Sequence, residues 1–365
     1  MTRFRVRPSG PLEGVVPVSG ATKNAGLKLM AAALLAPGTT TLRNMPPVRD
    51  LDVMIALLRA TGAQVDQPAP DVVRVDASAE LTPEAPYELV SRMRASFNVL
   101  GPLVARCGEA RIALPGGDNI GSRKVDMHLR GLEAMGAQVD VTHGFVHARA
   151  DVLQGARIVL EFPSVGATEN LMCAGALAKG TTVIENAARE PEVTDLAAFI
   201  DRMGGHVLGA GTSTLEIQGV EQLTSVDAEI MSDRVEAGTL LMACGIAGGE
   251  IELVGTRMEH LDIVVMKLCE MGMRVSSTTD GLWARGPQRM RAVDIATLPH
   301  PGFATDFMPL AVALMTTAEG SGIVTENVYD GRFQFVDELA RMGADVRTEG
   351  RHAIVRGVDR LSGAP

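Results

Sequence analysis

Five times along the chain an apolar helical run ends in glycine and passes into a short strand: ALLRATGAQV, GLEAMGAQV, FIDRMGGHV, KLCEMGMRV and ELARMGADV. The glycines, Gly62, Gly136, Gly204, Gly272 and Gly343, are separated by 74, 68, 68 and 71 residues. A residue just past a helix C-terminus commonly takes a positive φ, which glycine adopts without a steric penalty, so these positions mark five equivalent helix ends. Each is preceded by another apolar helix, a turn and a strand: LMAAALLAPGTTTLRN, VLGPLVARCGEARIAL, LMCAGALAKGTTVIEN, LLMACGIAGGEIELVG and LAVALMTTAEGSGIVTEN.

The repeating unit therefore reads helix, strand, helix, strand, with further strand at the join. A period this long exceeds that of the common solenoids. It fits duplicated α/β subdomains with helices on one side of each sheet. The opening FRVRPSGPLEGVVPVSGA is strand-like and matches no copy, which assigns it to a sixth unit. The chain stops at RGVDRLSGAP, where the next first helix is expected, so the last unit is expected to be incomplete.

At 365 residues two domains are favoured, and 46% hydrophobic content supplies their cores. Aromatics are only 3%, so packing falls to aliphatic side chains and 19 methionines. The net charge of -10 argues against a general nucleic-acid surface, and an anionic ligand must be held by locally placed Arg and Lys. No apolar signal region or membrane-length run is present, giving an expectation of a cytoplasmic protein without membrane insertion. Cys107, Cys173, Cys244 and Cys269 lie far apart in apolar segments and read as buried, reduced thiols. His143 and His147 fall on strands around a turn, about 13 Å apart, too far to share a metal.

The segments entering the first helices are rich in small and charged residues: SGATKNAG, SRMRASFN, FPSVGATEN, SDRVEAG and FATDF. Capping accounts for Ser232 and Thr305. It does not account for Lys23 or Arg94, because a cation at a helix N-terminus opposes the dipole unless an anion sits between them. A bound phosphate or carboxylate is the expected anion. GGDNIGSR approaches a nucleotide-hydrolase loop, but Ser122 and Arg123 stand where Lys and Ser/Thr belong. Asp118 in that loop and Asp306 ahead of the fifth first helix could serve acid/base work, against the plain readings of a turn carboxylate and a first-turn acid.

Taken together, SGATKNAGLKLMAAALL, MRASFNVLGPLVAR, LPGGDNIGSRKVDMHLRGLEAMGA, PSVGATENLMCAGALAKGTTVIENAAREPEVTDL, SDRVEAGT, PHPGFATD and TENVYDGRFQFVDELARMGA resemble the enolpyruvyl transferases, from about residue 10 onward. The likeness is to the branch acting on UDP-N-acetylglucosamine. It implies an α/β fold of two inside-out barrels built from repeated subdomains, with the active site between them. The implied domains are 23–231, carrying a mobile loop at 114–124, and 1–22 joined with 232–365.

The implied reaction moves the enolpyruvyl group of phosphoenolpyruvate to the sugar 3'-hydroxyl through a tetrahedral ketal, without metal or cofactor. By position, the resemblance makes Lys23, Asn24, Arg123 and Arg332 phosphoenolpyruvate-binding. It assigns UDP-N-acetylglucosamine to Asn24, Arg94, Arg123, Lys124, Val125, Asp126, Met127, Ser164, Val165, Gly166, Asp306 and Val328. Asp118, Asp306 and Lys23 are the implied catalytic residues, Asp306 as base for the hydroxyl. Both substrates are small molecules, and no nucleic-acid partner is implied.

Three departures from the pattern stand out. Asp118 replaces the cysteine that fosfomycin alkylates in most members, which implies an enzyme insensitive to that antibiotic. Phe162 replaces a lysine near the diphosphate. The family also continues further, with another Asp and two Arg of its site. The alternatives are a noncatalytic UDP-sugar-binding homologue, an inactive fragment, and a transferase for another acceptor.

Overall fold

The computed structural model describes residues 6, 7, 10–18, 20–117, 120 and 124–364. Two compact units emerge, one from Gly20–Asn119 and Arg123–Ser232, the other from Met1–Ser19, Ile120–Ser122 and Asp233–Pro365. Among the described residues the strands form five four-stranded sheets with one shared pattern. In the second copy, Glu84–Ala85 runs parallel to Glu109–Ala113, which pairs antiparallel with Phe145–Arg149, itself the return arm of a hairpin with Gln138–Thr142. The hairpin turns at His143 and Gly144, both with positive φ (52° and 80°), the twist a two-residue connection needs.

Alternation decides which face of each sheet is covered. Ala110, Ile112, Val146 and Ala148 are buried, while Arg111 and its cross-strand partner His147 face outward. Helices fill the inside of each unit. Val165–Ala176 is the extreme case in the larger unit: Ala167 through Ala176 are all buried, so the helix is enclosed on every side rather than along a stripe. In the other unit Arg234–Ala247 packs with Met308–Met315. The five helix-terminal glycines have φ of 90°, 91°, 95°, 108° and 93° in chain order, as the sequence requires.

The opening segment needs a correction. Leu12–Pro17 does not belong to a sixth unit; it lies parallel to Gly249–Val254 and completes the fourth copy's sheet. Sequence periodicity cannot show this, because the partner is more than 200 residues away. The first copy is completed in the same way from a distance, by Asp227–Glu229 alongside Thr39–Arg43. Two of the four thiols also differ from expectation. Cys173 and Cys244 are buried, but Cys107 is only partly covered and Cys269, at the outer side of its helix, is exposed. No helix among the described residues is long and apolar enough to cross a membrane.

Candidate active site

In the larger unit the candidate binding residues lie at the starts of helical segments. Lys23 and Asn24 open Lys23–Ala32, whose N-cap Thr22 accepts a hydrogen bond from the Asn24 amide at 3.2 Å. Arg94 opens the 3-10 turn Arg94–Val99, and its guanidinium donates to the Lys124 carbonyl at 3.0 Å. Val125 caps Asp126–Ala134, which carries Met127 in its first turn, and Asp126 faces Arg130 at 3.8 Å. Ser164 caps Val165–Ala176 by accepting from the Ala167 amide at 3.3 Å, which leaves Val165 and Gly166 in the first turn.

These starts are tied together about one turn further in. Lys28, Asn98 and Glu169 come from three of the segments; both Lys28 Nζ and Asn98 Nδ2 donate to Glu169 Oε2, the latter at 3.1 Å. Asn170 donates through Nδ2 to His128 Nδ1 at 2.9 Å and to the Phe97 carbonyl at 3.2 Å. Because the amide nitrogen donates, His128 Nδ1 accepts and the ring proton sits on Nε2. Burial, then the charges of Arg94 and Lys28, push the His128 pKa down to about 3, so the ring is neutral. Glu169 is driven the opposite way, its pKa raised by burial against the opposing pull of Lys28.

Lys23 itself has an internal anion. Its ammonium lies 3.0 Å from Asp50 Oδ2, in the first turn of Arg49–Ala60. This overturns the premise that only a ligand can offset a cation at that helix start. The Lys23 side chain is 48% exposed, so the pair is a surface one of about 0–1 kcal/mol, weak enough for a substrate anion to displace. In the same unit Asp195, on the helix Pro191–Arg202, is a half-buried carboxylate whose pKa burial raises to about 6.

The second cluster belongs to the other unit. Arg332 donates through Nη2 to Asp306 Oδ1 at 2.9 Å and through Nη1 to Thr305 Oγ1 at 2.8 Å. Its guanidinium carbon lies 5.7 Å from the Tyr329 ring centroid. Asp306 lies in the 3-10 turn Thr305–Phe307 and is not simply a dipole-complementing acid, since its partner is a guanidinium. Val328 is held through its amide, which donates to Glu326 Oε1 at 2.7 Å.

Both capping assignments made from sequence fail here. The Thr305 hydroxyl donates to Glu326 Oε2 at 2.7 Å instead of capping its helix, because a buried carboxylate is the stronger acceptor. At the helix Arg234–Ala247 the cap is Asp233, not Ser232; its carboxylate accepts from the amides of Val235 and Glu236 at 2.7 and 3.2 Å. Asp118 and Arg123 lie outside the described residues. Sequence reasoning missed Lys28, Asn98, Glu169, His128 and Glu326; of these Lys28 and Glu169 carry a local signal, a charged side chain inside a largely apolar helix.

The chain matches the EPSP synthase (3-phosphoshikimate 1-carboxyvinyltransferase) family over residues 6–365. It is 47% identical to the UDP-N-acetylglucosamine 1-carboxyvinyltransferase of Trichlorobacter lovleyi, covering 100% of this chain and 87% of the relative. It is 49% identical to the protein of the same name from Nocardia farcinica, covering 100% and 86%. Among solved structures, the enolpyruvyl transferase NikO from Streptomyces tendae superposes with a TM-score of 0.85 at 27% identity, over 95% of this chain and 82% of that one. The EPSP synthase of Acinetobacter baumannii shares the fold, with a TM-score of 0.70 at 19% identity over 98% and 84%. Two inside-out α/β units with repeated sheets and full-length likeness to these proteins have one reading: the chain belongs to the enolpyruvyl transferase family.

Proposed function

We propose that this protein transfers the enolpyruvyl group of phosphoenolpyruvate to the 3'-hydroxyl of UDP-N-acetylglucosamine and releases phosphate, the first committed step of peptidoglycan synthesis. The observation that carries this reading is the identity of 47% and 49%, along the whole chain, with relatives bearing that activity in their names. The reaction belongs in the cytoplasm, where phosphorylated metabolites are retained.

In this proposal Asp306 takes the proton of the attacking hydroxyl, and the new C–O bond forms at C2 of phosphoenolpyruvate while Asp118 delivers a proton to C3. The tetrahedral ketal then loses a C3 proton and phosphate, restoring the double bond. Lys23, Arg123 and Arg332 neutralise phosphate and carboxylate, the electrostatic work that fixed cations perform best in a water-poor site, and Asn24 binds the same donor. The nucleotide sugar lies on Arg94, Lys124–Met127, the Ser164–Gly166 turn and Val328. Support for this reading is that four helical segments of one unit, whose starts carry these residues, are tied together through Lys28, Asn98, Glu169, Asn170 and His128.

The test is phosphate release from phosphoenolpyruvate with UDP-N-acetylglucosamine, run beside 3-phosphoshikimate as acceptor and beside binding of the nucleotide alone. Release that depends on the nucleotide sugar is expected. Binding without release would instead support a noncatalytic sugar-nucleotide protein.

A further inference from the structure

Glu326 and Thr305 have no assigned part in the reaction, yet most of the polar bonding of the second cluster runs through them. Glu326 is 1% exposed and accepts four hydrogen bonds. On Oε1 these come from the Thr297 hydroxyl at 2.9 Å, the Val328 amide at 2.7 Å and the Tyr329 amide at 3.0 Å. On Oε2 the donor is the Thr305 hydroxyl at 2.7 Å. Thr297 is fully buried and in turn accepts from the Asn327 amide at 2.9 Å.

The direction of every bond in this chain is fixed by chemistry. A guanidinium only donates, so Thr305 Oγ1 accepts from Arg332 Nη1. The single hydroxyl proton of Thr305 is then left for Glu326. With that proton committed, a lone pair of Thr305 is held facing Arg332, and the other arm of the guanidinium reaches Asp306. The same carboxylate folds the turn 326–329 by accepting from the amides two and three residues ahead, which sets the backbone of Val328 and the Tyr329 ring near the guanidinium.

We infer that Glu326 and Thr305 are positioning residues for the enolpyruvyl transfer: a one-directional relay, Arg332 to Thr305 to Glu326, that sets where the Arg332 guanidinium and the Asp306 carboxylate stand. The inference rests on the proposed function. It adds that the affinity for the anionic enolpyruvyl donor depends on the buried Glu326 and the half-buried Thr305, neither of which is assigned a substrate contact. Loss of a charge-assisted hydrogen bond is large enough to be read in kinetics, about tenfold or more.

The test compares the full chain with Thr305→Val, Thr305→Ser and Glu326→Gln, by steady-state phosphate release and by thermal midpoint. Valine keeps the shape but removes both the donor and the acceptor; serine keeps both. Thr305→Val is expected to raise KM for phosphoenolpyruvate about tenfold while KM for the nucleotide sugar moves less than about threefold, and Thr305→Ser to stay within about twofold of wild type. Glu326→Gln keeps the shape of the side chain but must turn an amide group toward a donor or reverse the Thr305 bond, and the same donor-side loss is expected. Should Thr305→Val fail to fold, Glu326→Gln and Thr305→Ser decide the matter. A folded Thr305→Val or Glu326→Gln with wild-type KM for phosphoenolpyruvate overturns the relay, as does a serine variant as impaired as valine. Wild-type protein that releases no phosphate overturns the proposed function and the relay together, whereas active wild type with indifferent variants overturns the relay alone.

Discussion

Lys28 meets Glu169 inside the larger unit, ammonium against a carboxylate with no exposed surface, and the second carboxylate oxygen is buried without a hydrogen-bond partner. A buried ion pair contributes little beyond an apolar replacement, but breaking it strands a charge. Lys28→Met should therefore cost about 3–5 kcal/mol. Lys28→Met with Glu169→Gln, which removes both charges and keeps an acceptor for Asn98, should recover most of that. Thermal or urea unfolding of the two variants checks it; a single variant no worse than the double would show that the pair is not coupled.

Asp195 carries a raised pKa, about 6, because burial disfavours its charge. The unfolded chain releases this proton near the ordinary aspartate value, so the contribution to stability is present below pH 4 and disappears as pH rises through about 6. Asp195→Asn should raise the melting temperature at pH 8, by on the order of 1–3 kcal/mol of stability, and the gain should shrink toward pH 4. A gain of equal size at both pH values would rule out the carboxylate's charge as its source.

Gly238 lies inside the helix Arg234–Ala247, where an added Cβ would sit 2.3 Å from Cε1 of the Phe307 ring. Phe307 is fully buried and adjoins Asp306, so the ring cannot yield without moving the turn that presents the acid. Gly238→Ala is expected to destabilise by about 1–3 kcal/mol and to lower kcat as well. Normal kcat in a merely less stable protein would mean the ring relaxes away from the Asp306 turn.

The resemblance puts Asp118, a carboxyl group, where most members of the family carry the thiol that fosfomycin alkylates. Carboxylates are far weaker nucleophiles toward an epoxide than thiolates, so no time-dependent inactivation is expected. Asp118→Cys should create it. Mass spectrometry decides: an adduct on wild-type residue 118 contradicts the prediction.

Asp306→Asn should lower kcat by about 10²–10⁴, the usual worth of a general base. The amide can still accept from Arg332, so the melting temperature should fall little. Near-normal turnover would remove Asp306 from the role of base.

What could be read from sequence divides along the range of the interaction responsible. The glycines at 62, 136, 204, 272 and 343 were legible because positive φ is a local demand of the helix end. Thr305 was misread because its hydroxyl is claimed by Glu326, 21 residues downstream, and nothing near Thr305 in the chain announces a buried carboxylate. Lys23 was legible as a cation in need of an anion, but Asp50 enters from the next helix. The resemblance named Asp306 and Arg332 one by one; their 2.9 Å pairing required the fold.

The strand Leu12–Pro17 finds its partner in Gly249–Val254. During synthesis this strand leaves the ribosome early and waits roughly 10–50 s, at ordinary elongation rates, for the residues it pairs with. Throughout that interval its ladder of amides and carbonyls is open, while the larger unit, whose closing strand Asp227–Glu229 arrives sooner, can already complete its own sheets. The order of manufacture is thus written into the topology: a strand made more than 200 residues before its partner must wait for it, and a cell producing this chain must keep it from pairing with a neighbour until then.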